Sequence, residues 1–218
     1  RWRIAQALPE GSLLLTGGIR TQGDSFYNSL LAMDKQGHLL GHYDKAHLVP
    51  FGEYIPLRNW LPFDPIGGAG EFTAGPAPQS LTFGTLPSVS PLICYEVIFP
   101  GKVIDSVSRP QWILNITNDA WYGLTNGPHQ HMRMAQVRAI EEGLPLVRVA
   151  NNGISAVVTE LGQLQSQLPL GARGVIDTTL TLVSRPTPYY YARNYPFFAF
   201  IFGFLALGYA LKRRAAPA

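Results

Sequence analysis

Apolar residues fall mostly in short runs along the chain, and these runs predict a fold rich in β-strands. A single longer segment, 128–142, has a helical pattern: Pro128 suits the first turn, and Gly143 ends the apolar face. A short second helix is predicted over 97–107, interrupted near Pro100 and Gly101. Short apolar strands that alternate with a few helices predict an α/β or layered α+β fold in one domain. The predicted strands are 12–19, 25–33, 38–43, 86–94, 112–116, 146–150, 154–159 and 174–178.

The segment 196–211 (PFFAFIFGFLALGYAL) is apolar throughout and carries no charge. It falls just short of the ~17–25 residues of a membrane-spanning helix, but tyrosines before it extend it as an aromatic belt. A buried core helix is the alternative, and the aromatic and basic flanks favour a span. The positive-inside rule then puts the basic end in the cytoplasm and the rest of the chain on the other side. The flanking residues are Tyr189, Tyr190, Tyr191 and Tyr195 before the run, and Lys212, Arg213 and Arg214 after it.

Composition narrows the classes of function. Charged residues make up 14% of the chain, below the ~25% of an average soluble domain. The net charge is +3, and no stripe of Lys and Arg interleaves with aromatic residues, so nucleic acid is excluded as a partner. The single cysteine, Cys94, excludes an internal disulfide framework and a Cys-rich zinc site. Residues 1–9 lack the apolar core of a signal peptide, and we expect the chain to be a piece of a longer one.

Three segments place polar side chains at the end of an apolar strand. They read HYDKAHLVPFGEY over 42–54, LICYE over 92–96 and NITNDAWYG over 115–123. A free cysteine is most often a small buried hydrophobe. A nucleophile at the end of a strand, however, lies at the rim of a sheet, where substrate can reach it. Cys94 is therefore a candidate nucleophile.

Together with GPHQHMRMAQVRAIE over 127–141, these segments resemble the nitrilase superfamily of carbon-nitrogen hydrolases. Within it they look most like the apolipoprotein N-acyltransferases, and the resemblance extends from about residue 13 to the apolar segment. It implies a four-layer α-β-β-α sandwich with a Cys-Lys-Glu triad, incomplete here at its N-terminus. We expect residues 1–188 to form this catalytic domain, and residues 189–214 to form an aromatic belt, a transmembrane helix and a basic cytoplasmic end.

The resemblance assigns catalytic roles to four residues. Cys94 is the nucleophile, and the ammonium of Lys45 favours its thiolate and then the oxyanion of the tetrahedral intermediate. Glu53 matches a glutamate that orients or charges the site alongside the lysine. Glu96 matches an acidic position that the acyltransferases use, although an ordinary surface glutamate is the alternative.

Aromatic residues beside these motifs are expected to bind substrate. Tyr95, Trp121 and Tyr122 would line the pocket, with core packing as the alternative, and the backbone N–H of Tyr95 is a natural oxyanion donor. His129 and His131 stand two apart and do not share a helix face as two metal ligands would. We therefore expect no metal and no cofactor.

The family's general base is a glutamate at the end of its first strand, and no residue here matches it. Glu10 lies in the wrong context. We expect that base to belong to a missing N-terminal part of the same protein, together with a multi-helix membrane portion, and we do not expect this piece to be active alone.

The resemblance implies a ping-pong acyl transfer at the bacterial inner membrane, with the catalytic domain on the periplasmic side. A glycerophospholipid is the acyl donor, and a diacylglyceryl lipoprotein is the acceptor. The Gly- and Pro-rich segment 50–78 is a candidate lid. A membrane-tethered amidase with water as acceptor, a non-catalytic lipoprotein-binding module and a structural membrane-anchored domain are the alternatives.

Overall fold

The computed structural model describes residues 4, 6–57, 71–76, 78–123 and 125–215, apart from the side chains of residues 214 and 215. About half of the candidate lid, residues 58–70 and 77, therefore lies outside the described residues, as does the side chain of Arg214. Eight strands and three α-helices follow one another in the described parts of the chain.

The first three strands form an antiparallel sheet. They are β1 (Leu13–Gln22), β2 (Ser25–Asp34) and β3 (Leu39–Asp44), in the order β1-β2-β3. Gly23, at a φ of 57°, makes the tight turn between β1 and β2. Leu30, Ala32 and Tyr43 are buried on one face of this sheet, because side chains two apart along a strand share a face.

The other five strands form a mixed sheet in the order β4-β5-β6-β7-β8. Its first three strands are parallel to one another, and β7 and β8 pair antiparallel. All five residues of β4 are buried, as expected for a parallel strand covered on both faces. The strands are β4 (Val89–Ile93), β5 (Trp112–Asn118), β6 (Leu146–Asn151), β7 (Ser155–Val158) and β8 (Leu164–Leu168).

Two hydrophobic cores join three layers. One lies between the two sheets and includes Leu30, Tyr43 and Leu114. The other lies between the five-stranded sheet and helix α1 (Gly127–Glu142), and includes Ile113 and Met132. The described residues thus supply three layers of the expected four-layer sandwich.

Helix α1 is tied to the start of the C-terminal segment. The backbone N–H of Arg185 donates to the carbonyl oxygen of Gly143 at 3.0 Å, and the Thr187 hydroxyl donates to the carbonyl oxygen of Glu141. Arg193 forms an ion pair with the buried carboxylate of Glu142. Gly143 has a φ of 61°, and a Cβ there would lie 1.8 Å from the Arg185 carbonyl oxygen, so only glycine fits.

Two helices follow this joint, α2 (Pro188–Ala192) and α3 (Tyr195–Ala215). From Tyr195 to Arg213, α3 is long and apolar enough to span a membrane, and no part of that stretch is buried against the domain. Large apolar side chains of this helix are exposed to solvent, including Phe200, Phe202 and Phe204. Among the described residues, α3 is therefore not a core helix of the domain.

Two predictions of secondary structure are wrong. The helix expected over 97–107 is a short 3-10 helix, Cys94–Ile98, followed by turns. Phe99 is extended and Gly101 has a φ of 70°, so the backbone cannot continue as a helix. The strand expected over 174–178 is irregular chain, and the last strand is β8, with the polar sequence LQSQL.

Candidate active site

Cys94 follows the last residue of β4 and begins the 3-10 helix. Its thiol is free and half-buried. Its φ of 51° lies in the left-handed region, which non-glycine residues adopt only where the surrounding structure imposes it. Because β4, β5 and β6 are parallel, Cys94 lies at their shared carboxyl edge, where α/β sheets bind ligands.

Glu96 fastens the turn at Cys94 to the segment that follows β3. Its Oε1 accepts hydrogen bonds from the Tyr43 hydroxyl at 2.8 Å and from the backbone N–H groups of Ala46 at 2.8 Å and His47 at 3.0 Å. Its Oε2 accepts from the Ile93 N–H at 2.7 Å. Burial raises the pKa of the Glu96 carboxyl, while these four donors oppose the rise. Glu96 is 4% exposed, so it is not a surface glutamate.

Lys45 and Glu53 form a buried ion pair beside this turn. The Lys45 Nζ lies 2.7 Å from the Glu53 Oε2, and the lysine side chain is 1% exposed. Glu53 also accepts from the Val49 N–H at 2.7 Å and from the Asn28 amide at 2.9 Å, so its carboxylate is fully engaged. Since Glu96 binds residues on both sides of Lys45, the lysine is held at the same end of the sandwich as Cys94.

A buried polar network lies behind Cys94. His131 contacts Asp119 through Nδ1 at 2.9 Å and the Cys94 carbonyl oxygen through Nε2 at 3.1 Å. Arg148 binds the Asp119 Oδ2 at 2.7 Å, the Asn115 Oδ1, and the Ile154 carbonyl oxygen at 3.2 Å. Burial would raise the pKa of Asp119, but the hydrogen bond with His131 and the charge of Arg148 outweigh it and hold that pKa below its ordinary value.

Sequence reasoning missed this network. One signal was available: Arg148 lies inside the apolar strand LVRVAN, and a buried charge needs a partner. His129 is exposed and His131 is buried, so the two do not act together. Within the described ranges, no group of three His, Cys, Asp or Glu side chains is arranged to hold a metal ion.

The three aromatic candidates differ in their surroundings. Trp121 is 86% exposed, which rules out core packing for it. Tyr122 is half-buried, with its ring centroid 5.7 Å from that of His131. Burial is the main cause that raises the pKa of the Tyr122 hydroxyl. Tyr95 contacts Phe99 edge to face, with ring centroids 4.9 Å apart.

This arrangement of thiol, lysine and glutamates can be compared with known proteins. Residues 4–186 match the carbon-nitrogen hydrolase family. The chain belongs to this family. Solved structures confirm the fold: a carbon-nitrogen hydrolase from Helicobacter pylori G27 superposes with a TM-score of 0.57 at 16% identity, over 77% of this chain and 61% of that one. An amidase from Nesterenkonia sp. superposes with a TM-score of 0.56 at 24% identity, over 78% and 60% of the two chains.

Curated relatives narrow the resemblance within the carbon-nitrogen hydrolases. The chain is 44% identical to the apolipoprotein N-acyltransferase of Rhodopseudomonas palustris, over 86% of this chain and 37% of the relative. It is also 44% identical to the protein of the same name from Bradyrhizobium diazoefficiens, over 98% of this chain and 41% of the relative. The chain therefore spans about two fifths of the length of the curated relatives it matches.

Proposed function

We propose that this chain is the cysteine-bearing catalytic domain and membrane helix of an apolipoprotein N-acyltransferase. The observation that carries the proposal is the position of Cys94. It stands on a left-handed turn that Glu96 fastens beside the buried Lys45–Glu53 pair. The 44% identity to two apolipoprotein N-acyltransferases supports the reaction class. The exposed apolar helix α3 supports a site that works on membrane lipids.

In the first half-reaction, the Cys94 thiolate attacks the ester carbonyl of a glycerophospholipid. The S–C bond forms, the C–O bond to glycerol breaks, and a thioester and a lysophospholipid result. A general base carries the thiol proton to the departing glycerol oxygen; we expect a glutamate of the complete protein in this role. Lys45 stabilises the thiolate and, with the Tyr95 N–H, the oxyanion; losing one such donor typically costs about 10²–10³ in rate.

In the second half-reaction, the free α-amine of a diacylglyceryl-cysteine lipoprotein attacks the thioester. The N–C bond forms, the C–S bond breaks, and the thiolate of Cys94 is regenerated with an amide as product. The amine loses its proton to the same general base. A thioester suits this relay because it withstands water moderately and yields readily to an amine.

The proposal includes a location and a division of the chain. Residues 1–188 form the catalytic domain on the periplasmic side of the bacterial inner membrane, and residues 189–214 form the belt, span and cytoplasmic end. Lys212 and Arg213 follow the apolar part of α3, as the positive-inside rule requires of a cytoplasmic end. Tyr95, Trp121 and Tyr122 contact the lipid substrates. A reporter fused after Ala218 is expected in the cytoplasm, and an extracytoplasmic reporter would contradict this orientation.

Intact mass spectrometry tests the reaction. The protein, expressed from its complete gene, is incubated in phospholipid micelles beside Cys94→Ala. We expect a mass increment of one fatty acyl group that the variant lacks and that a diacylglyceryl lipopeptide amine discharges. An increment that water discharges as fast as the amine would favour an amidase-like hydrolase. Absence of any increment in the unaltered protein would favour the binding module.

A further inference from the structure

Two side chains on the helix side of the sheet make hydrogen bonds to the backbone around Cys94. The Asn115 amide donates to the Leu92 carbonyl oxygen at 3.2 Å, and His131 contacts the Cys94 carbonyl oxygen at 3.1 Å. The Asn115 Oδ1 in turn accepts from Arg148. One connected polar network thus holds two carbonyl groups, two residues apart, across the point where β4 changes into the left-handed turn.

The contacts of His131 fix where its ring carries a proton. A carbonyl oxygen accepts hydrogen bonds and donates none, so Nε2 must be the donor toward Cys94. Nδ1 faces both the Asp119 carboxylate at 2.9 Å, an acceptor, and the Arg148 Nη2 at 3.1 Å, a donor. Nδ1 therefore finds a partner with or without a proton, and Nε2–H donates to Cys94 in both states.

The surroundings of His131 leave the ring no other position. Its side chain is 1% exposed, and the Asp119 side chain is fully buried. The Tyr122 ring meets the imidazole at a centroid distance of 5.7 Å and a steep angle. A Cβ on Gly153 would lie 2.2 Å from the Asp119 Oδ2, so the backbone closes over the acid as well.

We propose that His131 is a positioning residue for the nucleophile: its Nε2–H holds the Cys94 carbonyl and with it the left-handed backbone that aims the thiol. Asp119 and Arg148 orient the imidazole for this contact. The consequence for acyl transfer rests on the proposed function, whereas the presentation of the thiol does not. The family resemblance assigns roles to a cysteine, a lysine and glutamates, and this role belongs to none of them.

Two variants of His131 distinguish the loss of its hydrogen bond to Cys94 from the loss of the imidazole ring itself. In His131→Gln, the amide nitrogen reaches about as far as Nε2 and can donate to the Cys94 carbonyl. In His131→Asn, the amide ends near the depth of Nδ1 and cannot. His129→Asn is the matched control, since His129 lies two residues away on the exposed side of the same helix. All are made in the protein expressed from its complete gene.

Alkylation of Cys94 by iodoacetamide reads out the thiol without any acyltransferase step. The second-order rate constant is measured from pH 5 to 9 by mass of the peptide that contains Cys94, beside the melting temperature and the single-turnover rate of acylation. An unsatisfied buried carbonyl costs a free energy that corresponds to on the order of a 10-fold change. We expect His131→Asn to lower alkylation and acylation by about that factor, while His131→Gln and His129→Asn stay within about 3-fold of the unaltered protein.

The other results of these experiments would overturn either the positioning role of His131 or the proposed function. Equal rates in His131→Asn and the unaltered protein, or an equal loss in the Asn and Gln variants with a matching loss of folded protein, would overturn the positioning role. If the unaltered protein gains no acyl group and the alkylation pattern holds, the proposed function fails and the positioning of Cys94 stands.

Discussion

Replacing Glu96 tests whether this buried carboxylate holds the site together. Glu96→Gln keeps the shape of the side chain and one carbonyl oxygen, which can keep the three bonds of Oε1. The new NH2 group then faces the Ile93 N–H, which donates to Oε2 at 2.7 Å in the native site, so donor meets donor. An unsatisfied buried donor costs about 1–3 kcal/mol, and the remaining bonds lose the strength that the charge gives them.

We therefore expect Glu96→Gln to destabilise the protein by about 2–4 kcal/mol, a fall of roughly 5–10 °C in melting temperature for a domain of this size. Glu96→Ala leaves all four donors without the carboxylate, so the loss is expected to reach about 4 kcal/mol or more. Glu10→Gln is the matched control, because the Glu10 side chain is 81% exposed and its ion pair with Lys35 lies at the surface.

The assay is thermal unfolding in detergent micelles, followed by tryptophan fluorescence, with alkylation of Cys94 measured on the same samples. We expect the alkylation rate of Cys94 to fall in Glu96→Gln. This variant loses the hydrogen bond from the Ile93 N–H, and Ile93 directly precedes Cys94. A melting temperature that matches Glu10→Gln would refute the reasoning, because it would mean that the Ile93 bond and the charge of the carboxylate contribute nothing to the folded state.

Three further changes have distinct expected outcomes. Lys45→Met removes the cation that we propose favours the thiolate and should slow alkylation of Cys94 at pH 7 by on the order of 10²-fold, whereas Lys102→Met, at the surface, should not change it. Burial would raise the pKa of Asp44, but hydrogen bonds from Arg20 and Ser29 outweigh it and lower the pKa below 3.8. The resulting stability is present above pH 3.8 and is lost as the pH falls further, so the melting temperature should drop less steeply between pH 5 and 3 in Asp44→Asn; parallel curves would contradict this. Trp121→Ala should leave melting and alkylation unchanged, since the ring is 86% exposed, and should slow acylation from phospholipid; unchanged acylation would exclude Trp121 from lipid binding.

The strands that could be predicted are those whose residues are buried, because buried strands have apolar sequences. β4 is buried along its whole length, and β5 is buried at all but two of its residues, so both read as apolar runs. β8 is an edge strand whose residues are exposed or half-buried, so LQSQL carries no apolar signal. The segment after Glu96 contains Pro100 and Gly101, which disfavour a helix, and the backbone at Phe99 and Gly101 ends the helix within two turns.

Some residues of the candidate site could also be predicted from the sequence, and others could not. Cys94 was a candidate because it ends an apolar strand, whereas Lys45 and Glu53 became candidates only through the resemblance of segment 42–54 to the carbon-nitrogen hydrolases. The contact between His131 and Arg148 could not be predicted. It joins α1 to β6, and the spacing of the two residues along the chain does not indicate that they touch. A charged residue within an apolar strand indicates that a partner exists, and only the folded structure identifies it.

The joint at the end of α1 has a mechanical consequence. Arg193, two residues before α3 begins, is clamped to Glu142, and Tyr190 packs on the core beneath α1. Because α3 begins two residues after Arg193, this contact ties the start of α3 to the end of α1. The place where the apolar helix leaves the domain that carries Cys94 therefore depends on the contact between Arg193 and Glu142.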